Sequence, residues 1–215
     1  MLKRQWFMAS LMALLMPLAA CAETETGTQY SEGEHYIRLD APVRTINPNK
    51  VEVAEVFWYG CSHCFHFEPM VHAWAKQQPE HVEFVQSPAM WNAVMKTHAQ
   101  AFYTASALGV FEKVHQPIFD AINLERNMLR DEDSLAELFA KHGVSEDKFR
   151  KVFNSFSVKS QVEQADARAR GYGISGTPEM VVNGKFRVST RTAGGQREML
   201  KVVEYLVEQE RKNTL

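Results

Sequence analysis

The chain is poor in the residues that define specialised classes. Among 215 residues there are three cysteines, eleven glycines and eight prolines, too few for a disulfide-stapled scaffold or a collagen-like repeat. Charge of one sign is also missing. The formal net charge of −2, without a lysine or arginine run, provides no phosphate-neutralising surface and excludes an ordinary nucleic-acid binder. No repeat or low-complexity tract is present, and no long apolar run follows the first 22 residues. With 45% hydrophobic and 23% charged residues, what remains is a soluble globular body of one domain or two small ones.

The first 22 residues stand apart. Lys3 and Arg4 precede an apolar stretch from Trp6 to Met16, then Pro17 and small residues. This three-part layout predicts a secretory signal peptide over 1–22; it is too short for a spanning helix of about 20 apolar residues. Its end reads in two ways. Ala20-Cys21-Ala22 fits cleavage after Ala22, while Leu18-Ala19-Ala20-Cys21 fits a bacterial lipobox in which Cys21 is lipidated and anchors the protein. Either way Cys21 is a processing residue, and the folded body keeps two thiols.

Residues 23–50 are polar and read as an extended leader. Val51 to Tyr59 is rich in β-branched and aromatic residues, the pattern of a buried strand ended by Gly60. Phe67, Met70, Val71 and Trp74 recur at helical spacing, with a bend expected at Pro69, and Val82 to Val85 is a second strand. From Pro88 to Phe156 the signals are helical. Phe111, Val114, Ile118 and Ile122 form one stripe and Leu135, Leu138 and Phe139 another, while Ser145 heads a helix carrying Phe149, Val152 and Phe153. Val158, Val162, Ala165 and Ala169 continue on a further helix. Asn183-Gly184 between two apolar runs signals a hairpin, and Met199, Val202, Val203 and Leu206 mark a last helix. The predicted organisation is an α/β unit over 23–87 and 158–215, interrupted by an inserted helical subdomain over 88–157.

Chemistry concentrates in Cys61-Ser62-His63-Cys64, at the join of a buried strand and a helix. There the first thiol meets unsatisfied backbone N–H groups and the positive end of the helix dipole, which favour its thiolate. A protonated His63 adds positive charge, and Cys64, one turn in, is expected to be more buried. A stabilised thiolate destabilises the disulfide, so such a site donates its disulfide to others. Other uses of the pair are weaker. Zinc needs four ligands and no second Cys/His pair follows; covalent haem attachment needs histidine where Phe65 stands. An inert structural disulfide stays open, although so small a loop gains little chain-entropy stabilisation. His66, His72 and His98 read as partly exposed helix residues.

Several separated motifs occur together: Glu55-Val-Phe-Trp-Tyr-Gly-Cys-Ser-His-Cys64, Phe67-Glu68-Pro69, Asn154-Ser155-Phe156-Ser157-Val158-Lys159, Gly176-Thr177-Pro178 and Val181-Val182-Asn183-Gly184-Lys185. In this order they closely resemble the DsbA family of bacterial periplasmic thiol:disulfide oxidases, from about Tyr30 to Glu210. The resemblance implies a thioredoxin fold with an inserted helical domain. It implies a periplasmic monomer whose only redox group is its cysteine pair, without a cofactor or metal. Such a protein oxidises reduced, unfolded exported proteins and is reoxidised by a quinone-linked, DsbB-like membrane partner. By the same resemblance Cys61 is the nucleophile, Cys64 its buried partner, and His63 helps set the thiolate. Thr177 and Pro178 form the substrate-binding loop facing the disulfide, with the proline cis, and Glu55 is an acid beneath the site that relays protons.

The chain departs from the family where Ser62 replaces the usual proline, Thr177 a frequent valine, and Gln86 a basic residue expected near Glu55. Two other functions remain: a reductase or isomerase working in the opposite direction, and a peptide-binding module without redox turnover. Residues 23–50 are too few for the N-terminal dimerisation domain that dedicated isomerases carry.

Overall fold

The computed structural model describes residues 30–214, so the signal-peptide reading and Cys21 lie outside the described residues. A five-stranded sheet forms the centre, in the order β1 (Ile37–Arg38), β5 (Phe186–Ser189), β4 (Glu179–Val182), β2 (Val51–Phe57), β3 (Val82–Pro88). Strand β2 (Val51–Phe57) is buried at every position, leads into helix α1 (Ser62–Ala75) and pairs in parallel with β3 (Val82–Pro88). Both lengths follow from pairing: β3 continues past Val85 because its register with β2 runs through to Phe57 opposite Pro88. Pro69 lies inside α1, which continues through it.

Four helices then follow without an intervening strand: α2 (Ala93–Ala107), α3 (Phe111–Asn123), α4 (Glu132–Lys141) and α5 (Glu146–Phe153). The expected stripes are their buried faces, with Val114, Ile118, Ile122, Leu135, Leu138, Phe139, Phe149 and Phe153 in one core. Ser145 caps α5 by accepting from the Lys148 N–H. Helix α6 (Phe156–Gly171) returns the chain to the sheet, burying Val158, Val162, Ala165 and Ala169.

Strands β4 (Glu179–Val182) and β5 (Phe186–Ser189) form the antiparallel hairpin announced by Asn183-Gly184. Both turn residues are left-handed, at φ 51° and 62°. Gly184 has a second reason to be glycine: a Cβ there would lie 1.9 Å from the Val43 carbonyl oxygen. Helix α7 (Thr190–Ala193) and the long α8 (Gln196–Thr214) close the fold. The leader is more structured than its composition predicts. Strand β1 (Ile37–Arg38) pairs with β5 at the sheet edge.

Strand alternation divides the packing. Val53, Met180, Val182 and Val188 face a core shared with Phe67 and Val71 of α1 and Met199, Val203 and Leu206 of α8. Ala54, Val56 and Val181 face the other side with Met95 and Tyr172. Phe57, Tyr59 and Cys64 leave the sheet unit and join the core of α2–α5. The second cysteine is therefore sealed by the helices.

Candidate active site

Cys61 is the N-cap of α1, and its sulfur accepts from the Cys64 N–H at 3.3 Å. The strand approaches this point through Trp58, whose indole N–H donates to His98 Nδ1 at 3.0 Å. His98 in turn holds the carbonyls of Met128 and Leu129 through Nε2, at 2.9 and 3.1 Å. This histidine is buried rather than partly exposed as its helical position suggested, and burial holds its pKa below the ordinary value. The indole lies across Gly60, where a Cβ would come within 2.3 Å of the ring, so only glycine lets the chain turn into the cap.

The two thiols are unbridged and unlike. Cys61 is half-buried and ionises at about 5. The strongest influence is the hydrogen bond with the Cys64 thiol; burial opposes it, and the Thr177 side chain and the backbone N–H groups of Cys64 and His63 assist. Cys64 is fully buried, and burial first, then its hydrogen bond to Cys61 and the Cys61 and Glu55 charges, push its thiol well above the ordinary value. His63 contributes its backbone N–H; its imidazole is exposed, and its carbonyl accepts from Gln196 Nε2 at 2.6 Å. Ser62 is exposed in the first helical turn.

A thiol that ionises near 5 stabilises the dithiol form at pH 7 by about 3 kcal/mol in the absence of screening. For a half-exposed sulfur this falls to roughly 1–2 kcal/mol, or about 20–45 mV for a two-electron couple. Because the pKa is depressed, the stabilisation of the reduced fold is complete above the ordinary thiol range. It is lost as pH falls through about 5.

Thr177 and Pro178 lie across from Cys61, joined by a cis peptide bond. As a thiol, Cys61 donates to the Thr177 carbonyl at 3.3 Å. A groove of about 350 Å³ runs along this loop, lined by Ile37, Thr177, Pro178, Arg187, Thr190 and Arg191 among others.

Beneath the cysteines lies a buried acidic layer. Glu55 is fully buried on β2, and its carboxyl is pushed up to about 8, first by burial and then by the charge of Glu68; the Gln86 amide opposes the shift. Gln86 Nε2 donates to Glu55 Oε2 at 2.9 Å and to Glu68 Oε2 at 3.0 Å, so an amide bridges two carboxylates where a cation was expected. Glu55 Oε1 is left without a hydrogen bond among the described residues. Glu68 Oε1 lies 3.2 Å from His115 Nε2, outside hydrogen-bond alignment, and His115 Nδ1 is 2.7 Å from the Tyr59 hydroxyl. His72, on the outer side, is 4.0 Å from Glu68.

Sequence reasoning placed Cys61, Cys64, His63, Thr177, Pro178 and Glu55, and the structure brings all six to one end of the sheet. Glu68 and His115 were missed as members of the buried layer. Glu68 falls four residues after Cys64, hence on the same buried helix face. His115 falls between Phe111 and Ile118 on the α3 stripe. The spacing put each on a buried helix face, but not beside the other.

The arrangement agrees with comparison to known proteins. Residues 52–206 match the model of the DSBA-like thioredoxin domain. The thiol:disulfide interchange protein DsbA of Azotobacter vinelandii is 45% identical over 197 residues, covering 92% of both chains. The crystal structure of Pseudomonas aeruginosa DsbA superposes with a TM-score of 0.83 at 41% identity, covering 86% of this chain and 96% of that one. The oxidoreductase DsbA from Xylella fastidiosa gives a TM-score of 0.79 at 33% identity, covering 85% of this chain and 98% of that one. With an acidic, half-buried thiol at a helix N-cap, a sealed second thiol and relatives of this likeness along nearly the whole described length, the chain belongs to the DsbA family of thioredoxin-fold protein-disulfide oxidoreductases.

Proposed function

We propose that the protein works as a disulfide donor for newly exported, reduced polypeptides in the periplasm. The observation that carries this direction is the asymmetry of the thiols: Cys61 is held as a thiolate at the helix N-cap and Cys64 is held protonated in the core. In the oxidised protein a substrate thiolate attacks Cys61 Sγ and the S–S bond to Cys64 breaks. Cys64 leaves as a thiolate and takes up a proton. Glu55, protonated below about 8, is the nearby acid suited to supply it. A second substrate thiolate then attacks the substrate-side sulfur and expels Cys61, whose low pKa makes it a good leaving group. The substrate loses two electrons to form its disulfide, and the protein keeps the dithiol.

In this reading Thr177 and the groove along Pro178 hold the substrate segment as an extended strand, while His63 supports the thiolate chiefly through its backbone. The α2–α5 region, an inserted subdomain over 88–157, seals Cys64 against the thioredoxin-like unit of 23–87 and 158–215. The cycle needs no cofactor beyond the cysteine pair, and a monomer suffices for it. Electrons leave to a quinone-linked, DsbB-like membrane partner. Export follows from the leader at 1–22, and the mass of the mature N-terminus distinguishes cleavage after Ala22 from lipidation at Cys21.

The test is oxidation of a reduced, unfolded protein by the oxidised chain, with Cys61→Ala alongside. Stoichiometric disulfide transfer by wild type and none by the variant is the expected result. Transfer unaffected by Cys61→Ala overturns the assignment, as does a wild-type chain that reduces disulfides in preference to making them.

A further inference from the structure

Glu179 immediately follows Pro178 and opens β4, whose other residues, Met180, Val181 and Val182, are all apolar and buried. Its backbone is fixed on both sides, opposite Ser189 of β5 and Val56 of β2. Only 4% of the residue is exposed. A carboxylate removed from water to this degree is costly unless polar groups receive it. Those that do belong to the loop just before the proline. Burial holds the Glu179 carboxyl above its ordinary pKa; Arg187 opposes this first, then the backbone N–H and hydroxyl of Ser175 and the backbone N–H of Gly176, with the Ser175 hydroxyl donating to Glu179 Oε1 at 3.3 Å. A Cβ on Gly176 would touch the same oxygen at 3.5 Å, so the carboxylate lies directly against the loop. Its other oxygen, Oε2, makes no hydrogen bond among the described residues and sits 3.6 Å from Arg187 Nε, across the hairpin.

The next residue in the same loop, Thr177, meets the Cys61 sulfur: its carbonyl accepts from the thiol at 3.3 Å, and its side chain favours the thiolate. Loop, carboxylate and arginine also line one groove with Pro178. We propose that Glu179 is a positioning residue for disulfide exchange: its buried carboxylate ties down residues 175–177 so that Thr177 stays at the Cys61 sulfur and the groove beside Pro178 keeps the shape that receives a substrate strand. Arg187 supports it from β5. Glu179 touches neither sulfur, and its effect on Cys61 runs through the loop. A residue kept only for stability would be better served by an apolar side chain in this strand, since the ion pair is long and one oxygen is unsatisfied.

The inference rests on Cys61 as the cysteine that exchanges with substrate, so wild type is assayed beside the full-length variants Glu179→Ala, Glu179→Gln and Ser175→Ala. Three quantities are read: the thiolate absorbance of Cys61 against pH, kcat and KM for oxidation of a reduced cysteine peptide, and the thermal midpoint. Glu179→Ala is expected to raise the Cys61 titration by half a unit or more, leaving about half the thiolate at pH 5, and to raise the peptide KM severalfold. Ser175→Ala moves both in the same direction by less. Glu179→Gln, whose carbonyl oxygen still accepts from Ser175, recovers most of the loss. Should Glu179→Ala fail to fold, the other two variants decide. A wild-type Cys61 titration and KM in every variant that folds, whatever the change in thermal midpoint, overturns the inference. A wild type without thiol exchange instead overturns the function on which it rests.

Discussion

Replacing Glu55 by glutamine removes the charge buried under the cysteines while leaving an acceptor for the Gln86 amide. In the reduced wild type the carboxyl titrates at about 8, against an ordinary value of 4.5, because it is buried and faces the Glu68 carboxylate. The native state therefore holds this proton more tightly than the unfolded chain. The stability it contributes is fully present below about 4.5 and is lost as pH rises through about 8. Relative to acid conditions, ionisation of this one group lowers stability by about 3 kcal/mol at pH 7 and about 5 kcal/mol at pH 9. Glutamine does not ionise, and its less well satisfied amide costs on the order of 1 kcal/mol at every pH. The Cys61 thiol titrates in both proteins alike, so it cancels in their difference. Glu55→Gln in the dithiol form should therefore gain on wild type by roughly 3–4 kcal/mol between pH 5 and pH 9, about 6–16 °C in thermal midpoint for a chain of this size. Urea unfolding of both proteins at pH 5, 7 and 9, under reducing conditions, measures the difference. Parallel stability profiles across that range would refute a buried, proton-holding Glu55.

Gln86→Lys places an ammonium between Glu55 and Glu68; it should bring the Glu55 titration down toward the ordinary carboxyl range and flatten the same pH slope, as read by the same unfolding series. In Cys64→Ala the Cys61 thiolate can still attack a disulfide-bonded substrate, releasing one substrate cysteine as a thiolate, and no second thiol is present to resolve the product, so the mixed disulfide accumulates and is seen on non-reducing gels; its absence would contradict Cys61 as the reactive cysteine. Gly60→Ala drives a methyl against the Trp58 ring and should cost about 1–3 kcal/mol, with a changed tryptophan emission as the indole shifts away from His98. An unchanged emission and stability would show that the indole does not hold the approach to Cys61.

What was readable in the chain depended on run length and on local chemistry. Strand β2 and the helices of the insertion announced themselves because each presents a long buried face, and the β4–β5 turn because Asn183 and Gly184 both adopt positive φ. Strand β1 is two residues held at an edge by β5, too short for alternation to show. Helix α7 is four residues set by the Ser189–Thr192 capping box, too short for periodicity. The polar Gln86 and Ser87 hid the end of β3, which is specified by its register with β2 rather than by its own hydropathy. At the site, Cys61 and Cys64 were legible from spacing alone. The approach of Thr177 to Cys61 joins residues 116 positions apart and came only through family resemblance. The buried acidic layer was half legible: Glu55 lies on an evident strand, whereas Glu68 and His115 meet only when α1 and α3 pack together.

The central claim is that the N-cap of α1 holds Cys61 as a thiolate and so makes the disulfide an oxidant. Its most direct test is the Cys61 pKa, from thiolate absorbance, determined together with the reduction potential against glutathione. The account predicts ionisation near 5 and a potential clearly more oxidising than the about −270 mV of a reducing thioredoxin. A Cys61 that ionises in the ordinary thiol range, with a potential at or below that of thioredoxin, would contradict it.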